Sequence, residues 1–219
     1  MNSLPRILPG VFACFLSSWI GLVAIPYFQI GKLQPEVNED LGEVYPVKAP
    51  MAGQEVYIAN GCINCHSQQV RPGHAGGDIG RGWGPRQTVA RDYMYDHPLL
   101  VGNMRMGPDL ANIGVRQQDP MWYYRHLYNP RIDSPYSVMP PYDYLFKKMK
   151  ISGERAADAL VLPPEYAPEK GYQIVPKPAA KHLVTYLLSL DRTHPVPEAV
   201  QEVKAEEKKP EDAEATDAK

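Results

Sequence analysis

The chain of 219 residues has room for one ordinary domain with appendages. Its net charge of −2, without any Lys/Arg-rich run, excludes a phosphate-backbone footprint, so no nucleic-acid partner is expected. The charge is uneven, because residues 193–219 contain eight acids, four lysines and no aromatic residue. A segment of that composition cannot bury enough apolar surface to become ordered, which predicts a disordered acidic tail.

The first predicted element is a membrane helix over residues 10–30, GVFACFLSSWIGLVAIPYFQI. This stretch carries no charge and is long enough to cross a bilayer, which takes roughly 20 helical residues. A cleaved signal peptide is the alternative, but its apolar region is usually about 7–15 residues long and ends at a small-residue cleavage site. No such site follows here, so the sequence predicts an uncleaved, single-pass anchor in which Cys14 is a small apolar side chain.

The charges beside the anchor predict its orientation. Arg6 lies in the short segment 1–9 before the span, whereas acidic residues follow it. Because positive charge is retained in the cytoplasm, residues 1–9 are expected there, and the remaining chain is expected on the periplasmic side of a bacterial inner membrane. Residues 31–50 contain three prolines and no helical periodicity, which predicts a linker between the membrane and the domain.

The domain that follows, residues 51–192, has helical patterns at its two ends. The segment MAGQEVYIANG (51–61) offers one apolar face and a glycine stop. Within 179–190, apolar side chains recur at the spacing of an amphipathic helix: Ala179, Leu183, Tyr186, Leu187 and Leu190. Shorter helices are predicted over 120–128 and 153–160, and no segment alternates convincingly as a strand. The predicted fold class is mainly α, with one transmembrane helix followed by a loop-rich domain.

The segment NGCINCHSQQVRP carries the chemistry. Cys62 and Cys65 are three positions apart, and His66 follows directly. A structural zinc site needs four ligands, usually as two pairs, and the sequence has no second pair. A thioredoxin-like redox pair follows a strand, whereas a helix is predicted here. The spacing is that of a c-type haem site, in which the two thiols bind one haem covalently and His66 ligates the iron.

The second axial ligand of the iron is predicted to be Met139. Its loop, SPYSVMPPY, is stiffened by Pro135, Pro140 and Pro141, and it lies between the haem-binding segment and the last helix. A methionine ligand raises the reduction potential of the iron. The alternatives are other methionines, or histidines that would imply a lower potential: Met104, Met106, Met121, His97 and His126.

Between positions 51 and 146, every Lys/Arg residue is an arginine. These residues are Arg71, Arg81, Arg86, Arg91, Arg105, Arg116, Arg125 and Arg131. Arginine stays charged when it is partly buried, and its planar fork matches a carboxylate. The base composition of the genome is one explanation for this window. The other is a domain that holds buried carboxylates, such as haem propionates.

Three segments and the anchor resemble one family. GQEVYIANGCINCHSQQVRP, YDHPLLVGNMRMGPDLANIG and NPRIDSPYSVMPPY, in this order, are similar to the mono-haem cytochrome c subunit (subunit II, FixO/CcoO-like) of cbb-type, C-family haem–copper oxidases. The resemblance covers about residues 10–146. It implies a class I-like cytochrome c domain with one covalent haem c, bound through Cys62 and Cys65. It also implies that His66 and Met139 are the axial ligands.

The resemblance has further structural implications. The last helix is expected to cross the first helix of the domain near Tyr57. Arg71 is expected near the haem, as a partner of a propionate, or at a subunit interface together with the YDHP segment (95–98). The sequence departs from the family pattern at the glycine-rich residues 73–84, over 140–176 and in the acidic tail.

A member of this family is expected to pass electrons from a di-haem cytochrome c subunit to a b haem of the catalytic haem–copper subunit. It does no bond chemistry and has no small-molecule substrate of its own. Two alternatives remain open. One is the anchored cytochrome c subunit of a nitric oxide reductase, against which the YDHP and GPDL segments argue. The other is a membrane-tethered haem sensor or peroxidase, whose distal side would be open to ligands.

Overall fold

The computed structural model describes residues 4–38 and 43–199. The chain begins with a continuous helix of three parts: α1 (Leu4–Trp19), a π-helical turn (Ile20–Ala24) and α2 (Ile25–Ile30). Within it, Ile7–Ile30 has a mean hydropathy of 2.0 and is long and apolar enough to cross a membrane. Its large apolar side chains are exposed, as expected of a helix that faces lipid. The predicted apolar N-terminal helix is confirmed.

The predicted linker, residues 31–50, contains regular structure. β1 (Glu36–Asn38) pairs antiparallel with β2 (Glu43–Tyr45), with Val37 opposite Val44. Strands of three residues are too short to show the alternation by which a sequence pattern reveals a strand. This hairpin could therefore not be predicted.

Three of the four predicted helices of the domain are confirmed. They are α3 (Met51–Ala59), α5 (Pro120–Tyr128) and α6 (Pro178–Leu188), and a further short helix, α4 (Ile113–Arg116), precedes α5. α5 begins at a capped end, because the Asp119 carboxylate accepts a hydrogen bond from Met121 N and Pro120 occupies the first turn. Short 3-10 turns cover Cys62–Asn64, Ala90–Tyr93, Pro130–Ile132 and Asp143–Leu145.

The helix predicted over 153–160 is wrong. The chain forms turns there, and Leu160 N donates to Ile174 O (2.9 Å) beside a two-stranded sheet. In that sheet, β3 (Phe146–Lys150) pairs antiparallel with β4 (Tyr172–Pro176). No apolar alternation marks β3, because four of its five residues are exposed and three of those are lysines.

The last helix crosses the first helix of the domain, as the resemblance implies. α6 lies so close to α3 that a Cβ at Gly53 would overlap with the main-chain oxygen of His182. One turn further on, the rings of Tyr57 and Tyr186 pack with their centroids 5.4 Å apart. Only glycine allows two helix backbones to approach this closely at position 53.

The main hydrophobic core lies between α3, α5, α6 and the β3–β4 sheet. Its most buried members are Tyr57, Tyr123, Leu160, Ala180, Leu183, Val184, Tyr186 and Leu190. Cys62, Met139 and Tyr142 are partly buried and pack against the same core. The segment with the cysteines and the loop with Met139 therefore border one apolar interior.

A buried ion pair joins the predicted linker to the domain. The guanidinium of Arg86 donates two hydrogen bonds to the carboxylate of Asp92 (2.8 and 2.9 Å), and both side chains are fully buried. The Tyr45 hydroxyl donates to the same carboxylate (2.5 Å), and the Tyr45 ring stacks on His194 with centroids 4.6 Å apart. Arg86 Nε donates to His194 O (2.8 Å). We call Tyr45, Arg86, Asp92 and His194 the tether clamp.

The first seven residues of the predicted acidic tail, 193–199, are folded onto the domain. Residues 193–199 pack on the domain: Val196 is buried, and the Glu198 carboxylate accepts hydrogen bonds from the Arg91 guanidinium (2.5 and 3.0 Å). Contacts between residues so far apart in sequence leave no mark in local composition. Residues 200–219 lie outside the described part of the chain.

The arginines of the domain hold carboxylates of the same chain. Buried or half-buried ion pairs join Arg86 to Asp92 (2.8 Å), Arg105 to Asp78 (2.5 Å), Arg125 to Asp133 (2.6 Å) and Arg192 to Asp96 (2.6 Å). Arg86, Arg105 and Arg125 belong to the arginine-rich window, so three of its eight arginines hold aspartates of the same chain, whereas Arg192 lies outside the window.

Replacing Arg86 by Met is expected to lower the free energy of unfolding by about 3–5 kcal/mol, because the Asp92 carboxylate stays buried without its counter-charge. The measurement is chemical unfolding of the detergent-solubilised protein. Lys181→Met is the matched control, since it breaks an exposed ion pair with Asp158 (2.5 Å) and should change the free energy of unfolding far less than Arg86→Met does. Equal losses of unfolding free energy in the two variants would contradict the prediction, because the buried pair would then contribute no more to stability than the exposed pair.

Candidate haem site

The two cysteines and His66 are presented in a single turn directly after α3. Gly61 ends the helix in the left-handed conformation (φ 67°), which favours glycine. The chain then turns so that Cys65 N and His66 N both donate to Cys62 O (3.2 and 3.0 Å). Both cysteines are free thiols and half-buried. The predicted site residues 62, 65 and 66 therefore lie together.

The His66 imidazole is held in one orientation. Its Nδ1 lies 2.8 Å from Pro108 O, and since a carbonyl oxygen can only accept, Nδ1 carries the proton. Nε2 is left with its lone pair, as a metal ligand requires. Burial lowers the pKa of His66, which favours the neutral ring. Gly107 lies against the ring, because a Cβ there would overlap with it.

The protonation of Cys62 argues against redox chemistry at this pair of cysteines. Burial raises the pKa of the Cys62 thiol to about 11, whereas reactive cysteines of Cys-x-x-Cys motifs have a lowered pKa. The preceding element is α3, where a thioredoxin-like site would have a strand. A zinc site also lacks its ligands in the described residues, since no group of three or more His, Cys, Asp or Glu side chains is placed to hold a metal.

The GPDL segment (107–110) forms the second wall of the site. Gly107 N donates to Cys65 O (3.1 Å) and Leu110 N donates to Ser67 O (2.8 Å), so the segment runs beside the cysteines and His66. Sequence reasoning missed these residues as parts of the site. The sequence signal for these residues was that they lie in one of the three segments that resemble the family. The resemblance of a whole segment does not say what each residue in it does.

The loop of Met139 is fastened to the core. Tyr142 N donates to Leu127 O of α5 (2.9 Å), and Met139 N donates to Ser137 Oγ (3.3 Å). The Met139 side chain is half-buried against the main core. Two hydrogen bonds thus hold this loop, while the role of Met139 as an iron ligand stays a prediction.

The alternative ligands are placed differently. Met104 and Met106 are exposed, and Met106 Sδ lies 4.0 Å from Cys65 Sγ. His97 is exposed. The His126 ring stacks on Trp122 (centroids 4.7 Å apart) and faces the Asp133 carboxylate across 3.8 Å.

Arg71 lies at the surface. Its main-chain N–H donates to Asp78 Oδ2 (2.8 Å), while the guanidinium of Arg105 reaches the main chain beside the site by donating to Gln69 O (2.5 Å). The contact of Arg71 with a propionate stays a prediction. In the YDHP segment, Asp96 forms a buried ion pair with Arg192 (2.6 Å), which is a structural role.

The fold and the site define a small, mainly α domain of the cytochrome c kind, attached to an apolar N-terminal helix. In a comparison with protein families, residues 10–164 match the family described as "Cytochrome C oxidase, mono-heme subunit/FixO". The chain belongs to this family of mono-haem cytochrome c oxidase subunits. A search of curated proteins finds no match. Membership means that the chain binds one haem and works in an oxidase complex with a catalytic subunit.

The residues present fit a haem. One turn of the chain holds two free thiols and a neutral imidazole with an available Nε2. The segment beside this turn contributes a glycine that leaves room for the imidazole ring. The apolar core that they border can cover a large flat cofactor on the side away from solvent.

Gly107→Ala is expected to reduce haem incorporation by about tenfold, because a Cβ at this position displaces the His66 ring. The measurement is the ratio of haem to polypeptide in the purified protein. Gly77→Ala is the matched control: a Cβ there meets only the Arg81 side chain, at 3.9 Å, and loading should be unchanged. Normal loading of the Gly107 variant would contradict the tight fit around the imidazole.

The protein is expected to lose stability as the pH falls from 7 to 5, in part through His126. Burial lowers the pKa of His126 below its ordinary value of 6.5, so the unfolded chain binds more protons over this interval. Stability is then greatest above about pH 6.5 and falls below it. His126→Phe keeps a ring on Trp122 but cannot be protonated, so its unfolding temperature should depend less on pH.

Identical profiles for the wild-type protein and His126→Phe would contradict the assignment.

Proposed function

We propose that this chain is the electron-transfer subunit of a cbb-type cytochrome c oxidase. It carries electrons through one covalent haem c, from a di-haem cytochrome c subunit to the catalytic haem–copper subunit, in aerobic respiration. The observation that carries the proposal is the His66 imidazole, held by Pro108 with its Nε2 available beside two free thiols, in a chain of the oxidase family. The domain is assigned to the periplasmic side of a bacterial inner membrane, with Ile7–Ile30 as its anchor.

Cys62 and Cys65 attach the haem in this proposal. Both thiols would hold the haem through thioether bonds to its vinyl groups. Burial raises the pKa of the Cys62 thiol to about 11, so this group is neutral before attachment. Covalent bonds retain the cofactor in a domain that is rich in loops.

His66 and Met139 are the proposed axial ligands. Met139 is supported by its fastened loop and by its packing on the core that Cys62 also borders. Met106 is a poorer candidate, because it adjoins Gly107, which already lies against the His66 ring. The iron so bound supplies a one-electron Fe(III)/Fe(II) couple.

In this proposal, the residues of the chain bind the haem, orient the His66 ring and shield the site from water. They carry out no bond chemistry on a substrate. Two protein ligands leave no position on the iron for oxygen or peroxide. Pro108 fixes the tautomer of His66, and the core beside Cys62 and Tyr142 excludes water from one side of the site. This arrangement supports a relay and disfavours the sensor or peroxidase alternative. The family match favours an oxidase over a nitric oxide reductase.

The proposal predicts that Met139→Ala will change the spectrum of the purified complex. The wild-type ferrous subunit should be low-spin and unreactive toward carbon monoxide, whereas the variant should become partly high-spin, bind carbon monoxide and transfer electrons at least about tenfold more slowly. The complex is purified in mild detergent, its subunits are identified, and electron flow from the di-haem subunit to oxygen is measured.

Met104→Ala is the matched control, since Met104 is an exposed methionine of the same domain and its loss should leave the spectrum unchanged. An unchanged spectrum for Met139→Ala would remove Met139 as the ligand and reopen the sensor or peroxidase alternative. If the large partner subunit contains non-haem iron and no copper, the complex is a nitric oxide reductase and not an oxidase.

A further inference from the structure

Asp109 is a buried carboxylate that the ligand set does not use. Its side chain is fully buried. Oδ2 accepts hydrogen bonds from Ser67 Oγ (2.6 Å) and Gln69 N (2.7 Å), and Oδ1 accepts one from Ala111 N (2.8 Å). Three short hydrogen bonds thus reach the two oxygens of this carboxylate.

The bonds of Asp109 connect the two segments that control the imidazole. Ser67 directly follows His66, and Asp109 directly follows Pro108, whose oxygen accepts from His66 Nδ1. The Ser67–Asp109 bond thus closes a ring that contains the imidazole and its hydrogen-bond acceptor. Main-chain bonds flank this ring on both sides, from Gly107 N to Cys65 O and from Leu110 N to Ser67 O. A shift of the Asp109 side chain would move both segments.

The charge of Asp109 is only partly compensated by arginine. Arg105 Nη2 lies 3.8 Å from Oδ2, and Arg105 makes closer contacts of 2.5 Å with Asp78 and with Gln69 O. Arg116 donates to the main-chain oxygen of Asp109 and not to its carboxylate. By contrast, Asp92 has a bidentate pair with Arg86.

The field of this charge reaches His66. Asp109 directly follows Pro108, whose oxygen lies 2.8 Å from His66 Nδ1, and its Oδ2 accepts from Ser67 Oγ, directly after His66 in the chain. A negative charge beside the iron stabilises the ferric over the ferrous state, so it lowers the reduction potential.

We propose that Asp109 is the positioning residue of His66, and that its charge holds down the reduction potential of the haem c proposed above. The inference rests on that proposed function. The carboxylate fixes the position of the Pro108 oxygen relative to the imidazole, and it offsets part of the rise in potential that a methionine ligand brings. Asp109 acts through His66 and is assigned no contact with a substrate.

The test is the reduction potential of the holo-protein carrying Asp109→Asn. Removing the charge should shift the equilibrium toward the ferrous form by about tenfold, which equals 59 mV for a one-electron couple. The NMR signals of the His66 ring should also move, because the ring of hydrogen bonds is altered. A purely structural role predicts the opposite shift, since loosened packing admits water and water favours ferric iron.

Two further variants serve as controls. Asp78→Asn removes a carboxylate that is also buried and also bound to Arg105, but that lies outside the ring of bonds at His66, so the equilibrium should change less than twofold. Ser67→Ala removes a donor to Asp109 and leaves its charge less compensated, so the potential should fall, by about twofold in the equilibrium constant. Opposite shifts in the reduction potential of the Asp109→Asn and Ser67→Ala variants would show that the charge of Asp109 acts on the iron.

Each outcome decides the matter. An Asp109→Asn potential that is unchanged or lower, in a protein with normal low-spin spectra, overturns this inference and leaves the proposed function intact. A wild-type chain without covalent haem overturns both. If Asp109→Asn accumulates without haem, Ser67→Ala decides: an unchanged potential at an unchanged unfolding temperature overturns the inference, and a lowered potential supports it.

Discussion

The structure depends on the contact between α3 and α6, where the His182 carbonyl occupies the space that a side chain at Gly53 would need. This contact fixes the end of α3, and with it the turn that presents the cysteines. α6 also holds the segment after His66, because Gln68 Nε2 donates to Tyr186 Oη (3.0 Å) on the helix face that packs against Tyr57. A single helix crossing thus positions both sides of the Cys-x-x-Cys-His turn, whose own regular structure is one short 3-10 turn.

The interior uses buried carboxylates in two ways. Asp92 is matched by the Arg86 guanidinium, so the pair is close to neutral and acts mainly as a structural link between distant segments. Asp109 is satisfied by hydroxyl and main-chain donors, with Arg105 at a longer distance of 3.8 Å, so its hydrogen bonds are complete while its charge is less screened. The first arrangement suits stability. The second leaves a partly compensated charge close to the His66 imidazole.

Some parts of this structure could be predicted and others could not, for identifiable reasons. The helices α3 and α6 show a helical pattern, and the c-type motif is recognisable from five residues. Sequence patterns could therefore predict both. The strands are three or five residues long and β3 is mostly exposed, so no alternation marks them. The bond from Arg86 to His194 joins residues 108 positions apart, and the Asp109 bonds join residues about 40 apart. Such pairings appear only when the chain is folded.

The tether clamp changes how far the domain can travel. A flexible linker of 20 residues would let its far end wander over roughly 25 Å, so the domain could collect electrons at one place and deliver them at another. Here Tyr45 is held by Asp92 and His194, and Arg91 donates to Gln34 O near the membrane helix. The free span between the apolar helix and the domain is thereby shortened to a few residues after Ile30. Under the proposed function, this short span limits how far the domain can move from the membrane between the point where it receives an electron and the point where it delivers one.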